Sequence, residues 1–479
     1  KFSFFLLIFS IFFWDLRLVE ENLSVDTDIT SQILSNIDVR FLYLVSFFPI
    51  FFYFEYFIKE RLITYKFILI SLLACAILLL HQVYTSSEGI RLKEIAYTFI
   101  VFVSILILKI FGKNFLDNKI KVIKLVTLIS VFFYIFSLAI FDYLQIKNEF
   151  GEVLTWKKFS FEPCKSGFFN DYNFVFSESS HFGMIAISIF LTNFYYVIKT
   201  NFKDKSLIIC FIAFSFILFN NMSLTVIAGV VTCQLALIIA NFNRKNIKYL
   251  ISSFLMIIIF FIIPLNFLGC KWKFQNAFWL IKQKVPILAM NLELMSEEEK
   301  KRMINEYHGI KHKLSVNSNN EKKFEKYFML TKNTDLSSAV LAHNLRVVKE
   351  SLNLFSNGKF LGWGLNRYED AFMYYTENNI DEINHTYAVF VNHEDGSLNL
   401  TKLLVEFGYL NITLILINIF FLFSSRIAID DKTFLFPIIF VQSFLRGAGY
   451  FNGGFLITTI LIVLIVIGSY DGKKSNKIL

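Results

Sequence analysis

The sequence predicts an all-α polytopic membrane protein, with about twelve transmembrane helices and one large, mainly helical periplasmic loop between the ninth and tenth. Three observations carry this. Of the 479 residues, 55% are hydrophobic and 18% charged, with a mean hydropathy of +0.55, a balance that ordinary soluble domains do not have. Apolar runs of the length that crosses a hydrocarbon core recur along the chain. Lysine and arginine then alternate between connections, dense on one set and sparse on the other.

Taken in order, the runs fall at 2–14, 41–58, 62–83, 95–111, 124–146, 181–198, 206–220, 222–241, 249–268, 400–424, 433–446 and 454–470. The first is shorter than the roughly 20 residues a spanning helix needs. A signal peptide is the rival reading of that run; against it, no small-x-small site comes after and Trp14-Asp15 is next. Between the seventh and eighth runs only Asn220-Asn221 interrupts the apolar pattern, so a re-entrant hairpin stays open there.

Cations gather around Lys59 and Lys66, from Lys109 to Lys124, from Lys199 to Lys205, from Arg244 to Lys248 and near Lys473. By the positive-inside rule those ends are cytoplasmic, and both termini with them. The remaining connections are longer and richer in acids, so 147–180 and the insertion face outward. The chain therefore divides into a transmembrane bundle of spans 1–9 (1–268), a large periplasmic loop (269–399), and spans 10–12 with a short cytoplasmic tail (400–479). The expected location is the bacterial inner membrane, multi-pass, with the active site periplasmic. That compartment holds no ATP and no nucleotide sugars, so a donor must carry its own activation. Cys164 and Cys270 would share this oxidising side, which permits but does not require a disulfide; Cys75, Cys210 and Cys233 lie in apolar runs as small core residues.

Ionisable groups inside the spans are few: Glu55, Lys66 and His81 sit near ends, and Glu406 is the exception. An ion-coupled transporter usually buries several near mid-membrane. The informative residues gather instead at the outer face. "VFSESSHFGMIAISIF" (175–190) sets Glu178 and His181 at the mouth of the sixth span, where Ser177 or Ser179 can cap the helix and first-turn N–H groups favour anions. In "LSSAVLAHNLRVVKESLNLFSNG", closed by Gly358, an apolar stripe of Leu341, Leu345, Val348, Leu352 and Phe355 leaves His343, Arg346 and Glu350 on the opposite side. Such a triplet reads either as a substrate-facing group or as a solvated face with an Arg346–Glu350 pair. "SFLRGAGYFNGGF" puts Arg446 and Tyr450 beside four glycines, where a planar guanidinium suits phosphate oxygens or snorkels to headgroups. "GKFLGWGLNRYEDAF" sets Gly362 and Gly364 before Arg367; no strand–helix unit surrounds this G-x-G, so it is not read as dinucleotide binding. Asp26-Thr27-Asp28 and the His308/His312 pair are not taken as metal sites: the first lies in an outer loop without nucleotides, and the second lacks the Glu of H-E-x-x-H.

These stretches, in this order, resemble the O-antigen polymerase and O-antigen ligase superfamily (Wzy and WaaL). "FSESSHFG" resembles its E-P-S-x-F-A stretch, "NNMSLTVIAGVV" its S-x-T-G-x-x-A span, and "LRVVKESLNLFSNGKFLGWGLNRY" its Arg helix followed by a G-x-G turn. "LNLTKLLVEFGYLN" is similar to its L-x-x-x-x-E-x-G-x-x-G stretch at the tenth span, so the resemblance runs from about 175 to 455. Where ligases begin this last motif with His, nine residues before the Glu, the chain has Ser397, with His393 one turn earlier; that favours polymerase.

The resemblance implies a GT-C-like fold. It also implies a metal-independent integral-membrane glycosyltransferase, without cofactor, that joins undecaprenyl-diphosphate-linked oligosaccharide repeats and releases undecaprenyl diphosphate. Transfer of the polymer to lipid A-core, and a polysaccharide flippase or transporter, are the alternatives. Arg346, Arg446 and Arg367, with His343 and Tyr450, would bind diphosphate and substrate. Glu178, His393 and His181 are candidate bases, and Glu406 orients a neighbour. Expected partners are the lipid-linked donor and acceptor, membrane lipid, and a chain-length regulator and flippase of the same pathway; nucleic acid is not among them.

Overall fold

The computed structural model describes residues 2–14, 39–85, 89–140, 146–147, 153–154, 179–220, 223–241, 247–267, 336–354, 358–378 and 396–470. They form a helical membrane protein. Among them β pairing is confined to an antiparallel contact of Ile146–Lys147 with Val153–Leu154. Four helices are long and apolar enough to cross a membrane: Tyr65–Thr85, Leu92–Asp117, His181–Lys199 and Asn399–Phe423, of 21, 26, 19 and 25 residues. Other apolar helices run 10–17 residues.

Helix α1 (Phe2–Phe12) lies in the first apolar run. The second expected span is broken instead of continuous: a 3₁₀ segment, Val39–Ser46, leads into α2 (Phe47–Phe52) and α3 (Phe54–Lys59), which part at Tyr53. Then come α4 (Tyr65–Thr85), α5 (Leu92–Asp117) and α6 (Lys119–Ile140). One side of α4 is bare, with Leu69, Leu73, Leu80 and Tyr84 each more than half exposed, as a lipid-facing helix requires.

The centre of the bundle is α7 (Ser179–Lys199), which packs on α8 (Lys205–Asn220), α9 (Leu224–Ala240), α10 (Ile247–Phe267) and α15 (Ile429–Phe444). Phe190 of α7 meets the rings of Phe211 and Phe260 at 5.3 and 4.9 Å. Approach is close at Gly229, where an added Cβ would lie 2.3 Å from Ile187 Cδ1. Hydrocarbon gives helices no reason to associate beyond packing and hydrogen bonds, so small residues set such contacts. The Ser188 hydroxyl also donates to the Phe434 carbonyl across the α7–α15 seam. The weak division at Asn220 separates two helices: Ser223 caps α9, its Oγ accepting from Val226 N at 3.3 Å.

Within the expected insertion, α11 (Leu336–Leu352) and α12 (Tyr368–Asn378) are described. The tenth expected span is interrupted: α13 (Asn399–Phe407) passes through a 3₁₀ turn, Gly408–Asn411, into α14 (Ile412–Phe423). Gly408 has φ +53°, and a Cβ there would strike the Phe360 carbonyl at 2.1 Å. The break is therefore where the insertion docks. Helix α16 (Phe455–Val466) is the last among the described residues. Just past its end, Lys113 Nζ reaches Tyr470 O at 3.0 Å and Lys109 Nζ reaches Ser469 Oγ at 2.7 Å, tying the chain back to α5.

The bundle has two unlike polar ends. At one, Lys119 of α6 meets Asp430 and Asp431 of α15 at 3.4 and 2.6 Å, and Lys124 meets Asp204 at 3.6 Å. At the other lie Arg40, the α4–α5 connection, the 358–367 turn, the start of α13 and the 445–454 connection.

Candidate functional site

The insertion turn 358–367 is laid across the end of α13 by backbone bonds. Trp363 N donates to Val405 O at 3.0 Å, Gly364 N to Glu406 O at 2.8 Å, and Tyr409 N to Phe360 O at 3.1 Å. The Val405 and Glu406 carbonyls are among those a helix leaves unpaired at its C-terminus. Gly362 (φ +78°) is required: a Cβ there would stand 2.5 Å from the Glu406 carbonyl. On its other side the turn is held by α4, where Gln82 Oε1 accepts from Leu365 N at 2.9 Å and His81 Nε2 lies 2.7 Å from Leu361 O.

Glu406 sits fully buried beneath this turn. Its carboxylate accepts from Asn366 N at 2.9 Å, Tyr368 N at 3.2 Å and the Tyr450 hydroxyl at 2.7 Å. Two segments distant in sequence, 366–368 and the 445–454 connection, thus converge on one carboxylate, which burial alone would penalise heavily. Burial, with the Glu406 charge second, pushes both the Tyr450 and Tyr368 phenols well above the usual range, so each stays a proton donor. Lys402, one turn before Glu406 on α13, is also buried, with Nζ 5.4 Å from the Tyr450 ring centroid.

Arg367 is buried and heavily engaged. Its Nε reaches Glu94 Oε1 at 2.6 Å, Nη2 donates to Gly89 O at 2.7 Å, and Nη1 lies 3.9 Å from Asp370 Oδ2. Arg91 completes the lattice with a 2.7 Å bond to Asp370.

Helix α11 buries Asn344, Val347, Val348 and Ser351, and leaves Leu345 48% exposed. The expected apolar stripe is therefore corrected by a rotation of roughly 70° at 100° per residue. Polar pairing is the reason: Tyr368 OH donates to Asn344 Oδ1 at 2.5 Å, and Asn344 Nδ2 to Ser397 Oγ at 3.0 Å. Ser397 O in turn accepts from Gly447 N at 2.8 Å. This link joins α11, the start of α13 and the 445–454 connection. Arg346, half-buried, is two residues from Asn344, on the side of α11 away from it. Arg446, half-buried, directly precedes Gly447.

Of the other sequence-predicted residues, Tyr450 and Glu406 are brought together, while the His181 ring packs 5.2 Å from that of Trp14, just past the end of α1. His343 falls in α11, but its side chain is outside the described part. Glu178, His393, Cys164, Cys270, Asp26, Asp28, His308 and His312 lie outside the described residues. Sequence reasoning missed Gln82, Glu94, Asn344 and Lys402. The first two carried a signal, since a polar residue at the edge of an apolar run usually faces protein. No family model matches the chain, and neither a curated protein nor a solved structure matches it.

Proposed function

We propose that this chain is a polysaccharide polymerase of the O-antigen type, crossing the inner membrane about twelve times with both termini cytoplasmic and its reaction on the periplasmic face. The observation that carries the reading is the Asn344–Ser397–Gly447 link, which sets the Arg346 helix and the Arg446 connection on one end of the bundle. A shared compartment is what the chemistry needs.

In the proposed reaction an acceptor sugar hydroxyl attacks the anomeric carbon of a lipid-linked repeat. The new C–O bond forms as the bond to diphosphate breaks, and undecaprenyl diphosphate leaves with the electron pair. Fixed cations stabilise the charge that gathers there, the role given to Arg346 and Arg446. The hydroxyl proton passes to a base, for which Glu178, His393 and His181 remain the candidates. Glu406, saturated with donors, holds Tyr450 and Asn366 in place instead of reacting.

Ser397 favours polymerase over ligase. At the position where ligases carry His, its side chain is buried and committed to Asn344, with φ +61°. Donor and acceptor are both undecaprenyl-diphosphate-linked oligosaccharides in this reading, and a flippase and chain-length regulator would work alongside. The test is incubation of purified protein, reconstituted in vesicles that also contain lipid A-core, with a synthetic undecaprenyl-diphosphate repeat and no added metal. A ladder of lipid-linked oligomers supports the reading. Transfer only to lipid A-core would make it a ligase, and movement of repeats across vesicles without joining would make it a flippase.

A further inference from the structure

We propose that Arg367 and Glu94 form a positioning pair for the reaction centre, and that Arg367 does not bind the diphosphate. The inference rests on the polymerase reading for the reaction it serves, and on geometry for the pair itself.

Arg367 is 4% exposed and Glu94 1%, and their 2.6 Å contact joins the insertion turn to the first turn of α5. Glu94 is itself fixed, since its other oxygen accepts from Arg91 N at 3.1 Å. With Nη2 on the Gly89 carbonyl and Asp370 near Nη1, the guanidinium already faces three acceptors. A planar fork so occupied is poorly placed to take phosphate oxygens as well. What the pair fixes is the residue before it. Asn366, at φ +59°, presents its N–H to both Glu406 Oε2 and Tyr450 OH, each at 2.9 Å. The chain from α5 to the Gly-rich connection therefore runs Glu94, Arg367, the Asn366 backbone, then Glu406 and Tyr450. Arg446 lies four residues from Tyr450 in that connection. Removing either charge costs its buried partner the close counter-ion, Arg367 then keeping only Asp370 at 3.9 Å, and this is relieved most simply by the turn shifting.

The experiment compares Glu94→Gln, Arg367→Gln, the double variant and Arg367→Lys in the full-length protein. Two readouts are taken: elongation kinetics with the synthetic lipid-linked repeat, and the ¹⁹F resonance of 3-fluorotyrosine placed at position 450. For a positioning pair, each single Gln variant lowers kcat about tenfold or more with donor KM within about twofold, and the double is no worse than the worse single. The ¹⁹F resonance moves in both Gln variants and returns toward its original place in Arg367→Lys. The proposal is overturned if Arg367→Gln chiefly raises donor KM while Glu94→Gln leaves kinetics unchanged, if the two effects add, or if the resonance stays put. Should the unsubstituted protein elongate nothing, the polymerase reading fails, and the ¹⁹F comparison still decides whether the pair positions Tyr450.

Discussion

Tyr450 donates its hydroxyl to the Glu406 carboxylate at 2.7 Å, and both side chains are buried where the insertion meets α13. Hydrogen bonds to a buried charge are worth more than neutral ones, and leaving the acceptor short costs its desolvation. Tyr450→Phe is expected to destabilise the protein by about 1–3 kcal/mol and to lower elongation. Thermal unfolding in detergent and product sizing read the two effects separately.

The same contact has a pH signature. Burial holds the Tyr450 and Tyr368 phenols well above the ordinary value. A raised folded-state pKa gives stability that is fully present below the unfolded value, about 10 for tyrosine, and is lost as pH climbs past it. The unfolding midpoint is expected to fall above about pH 10, and to fall less steeply in Tyr450→Phe. A gap between the two proteins that widens with pH would contradict this assignment.

Arg346 and Arg446 are each expected to be needed for elongation. If both stabilise the departing diphosphate, Arg346→Ala and Arg446→Ala lower the rate by roughly 10²-fold or more, with membrane insertion and unfolding midpoint nearly unchanged. Wild-type ladders on a silver-stained gel from either variant would remove that arginine from the mechanism.

Much of the fold was legible because hydropathy along the chain reports which stretches avoid water. Each apolar run contains helix in the described residues, and the seventh and eighth runs part at the Asn220 interruption. What was not legible depends on contacts between distant segments. Glu94 and Arg367 stand 273 positions apart, and nothing local to either names the other. The break at Gly408 is set by the docked Phe360 carbonyl, and the face of α11 by two polar partners of Asn344 that a hydrophobic stripe ignores. Glu406 was legible as a residue in need of partners because a lone carboxylate in an apolar run must be satisfied by protein. Its three donors had to be seen.

Gly362 tests whether the turn can be moved without touching a charged group. Its φ of +78° is poorly suited to an L side chain, and the nearest atoms to an added Cβ are backbone atoms of Glu406 at 2.5 Å. Backbone cannot swing aside as a side chain can. Gly362→Ala is expected to cost at least about 1–3 kcal/mol and to depress elongation together with stability, in contrast to the arginine variants above.

Lys119 supplies the control from the other end of the bundle. Its side chain is 7% exposed and lies within 3.4 and 2.6 Å of the Asp430 and Asp431 carboxylates, which are about one-fifth exposed, and Tyr196 OH adds a 2.8 Å bond to Asp430. Breaking a buried pair leaves uncompensated charge and costs about 3–5 kcal/mol, less where solvent reaches the carboxylates. Lys119→Ala is therefore expected to destabilise by about 2–3 kcal/mol, and Lys119→Arg to recover most of it. Because this cluster ties α6 to α7 and α15 far from Glu406 and Tyr450, product length per folded molecule is expected to stay the same. A shortened ladder from folded Lys119→Ala protein would mean that the two ends of the bundle are coupled, and the insertion end could no longer be treated as the self-contained centre of the reaction.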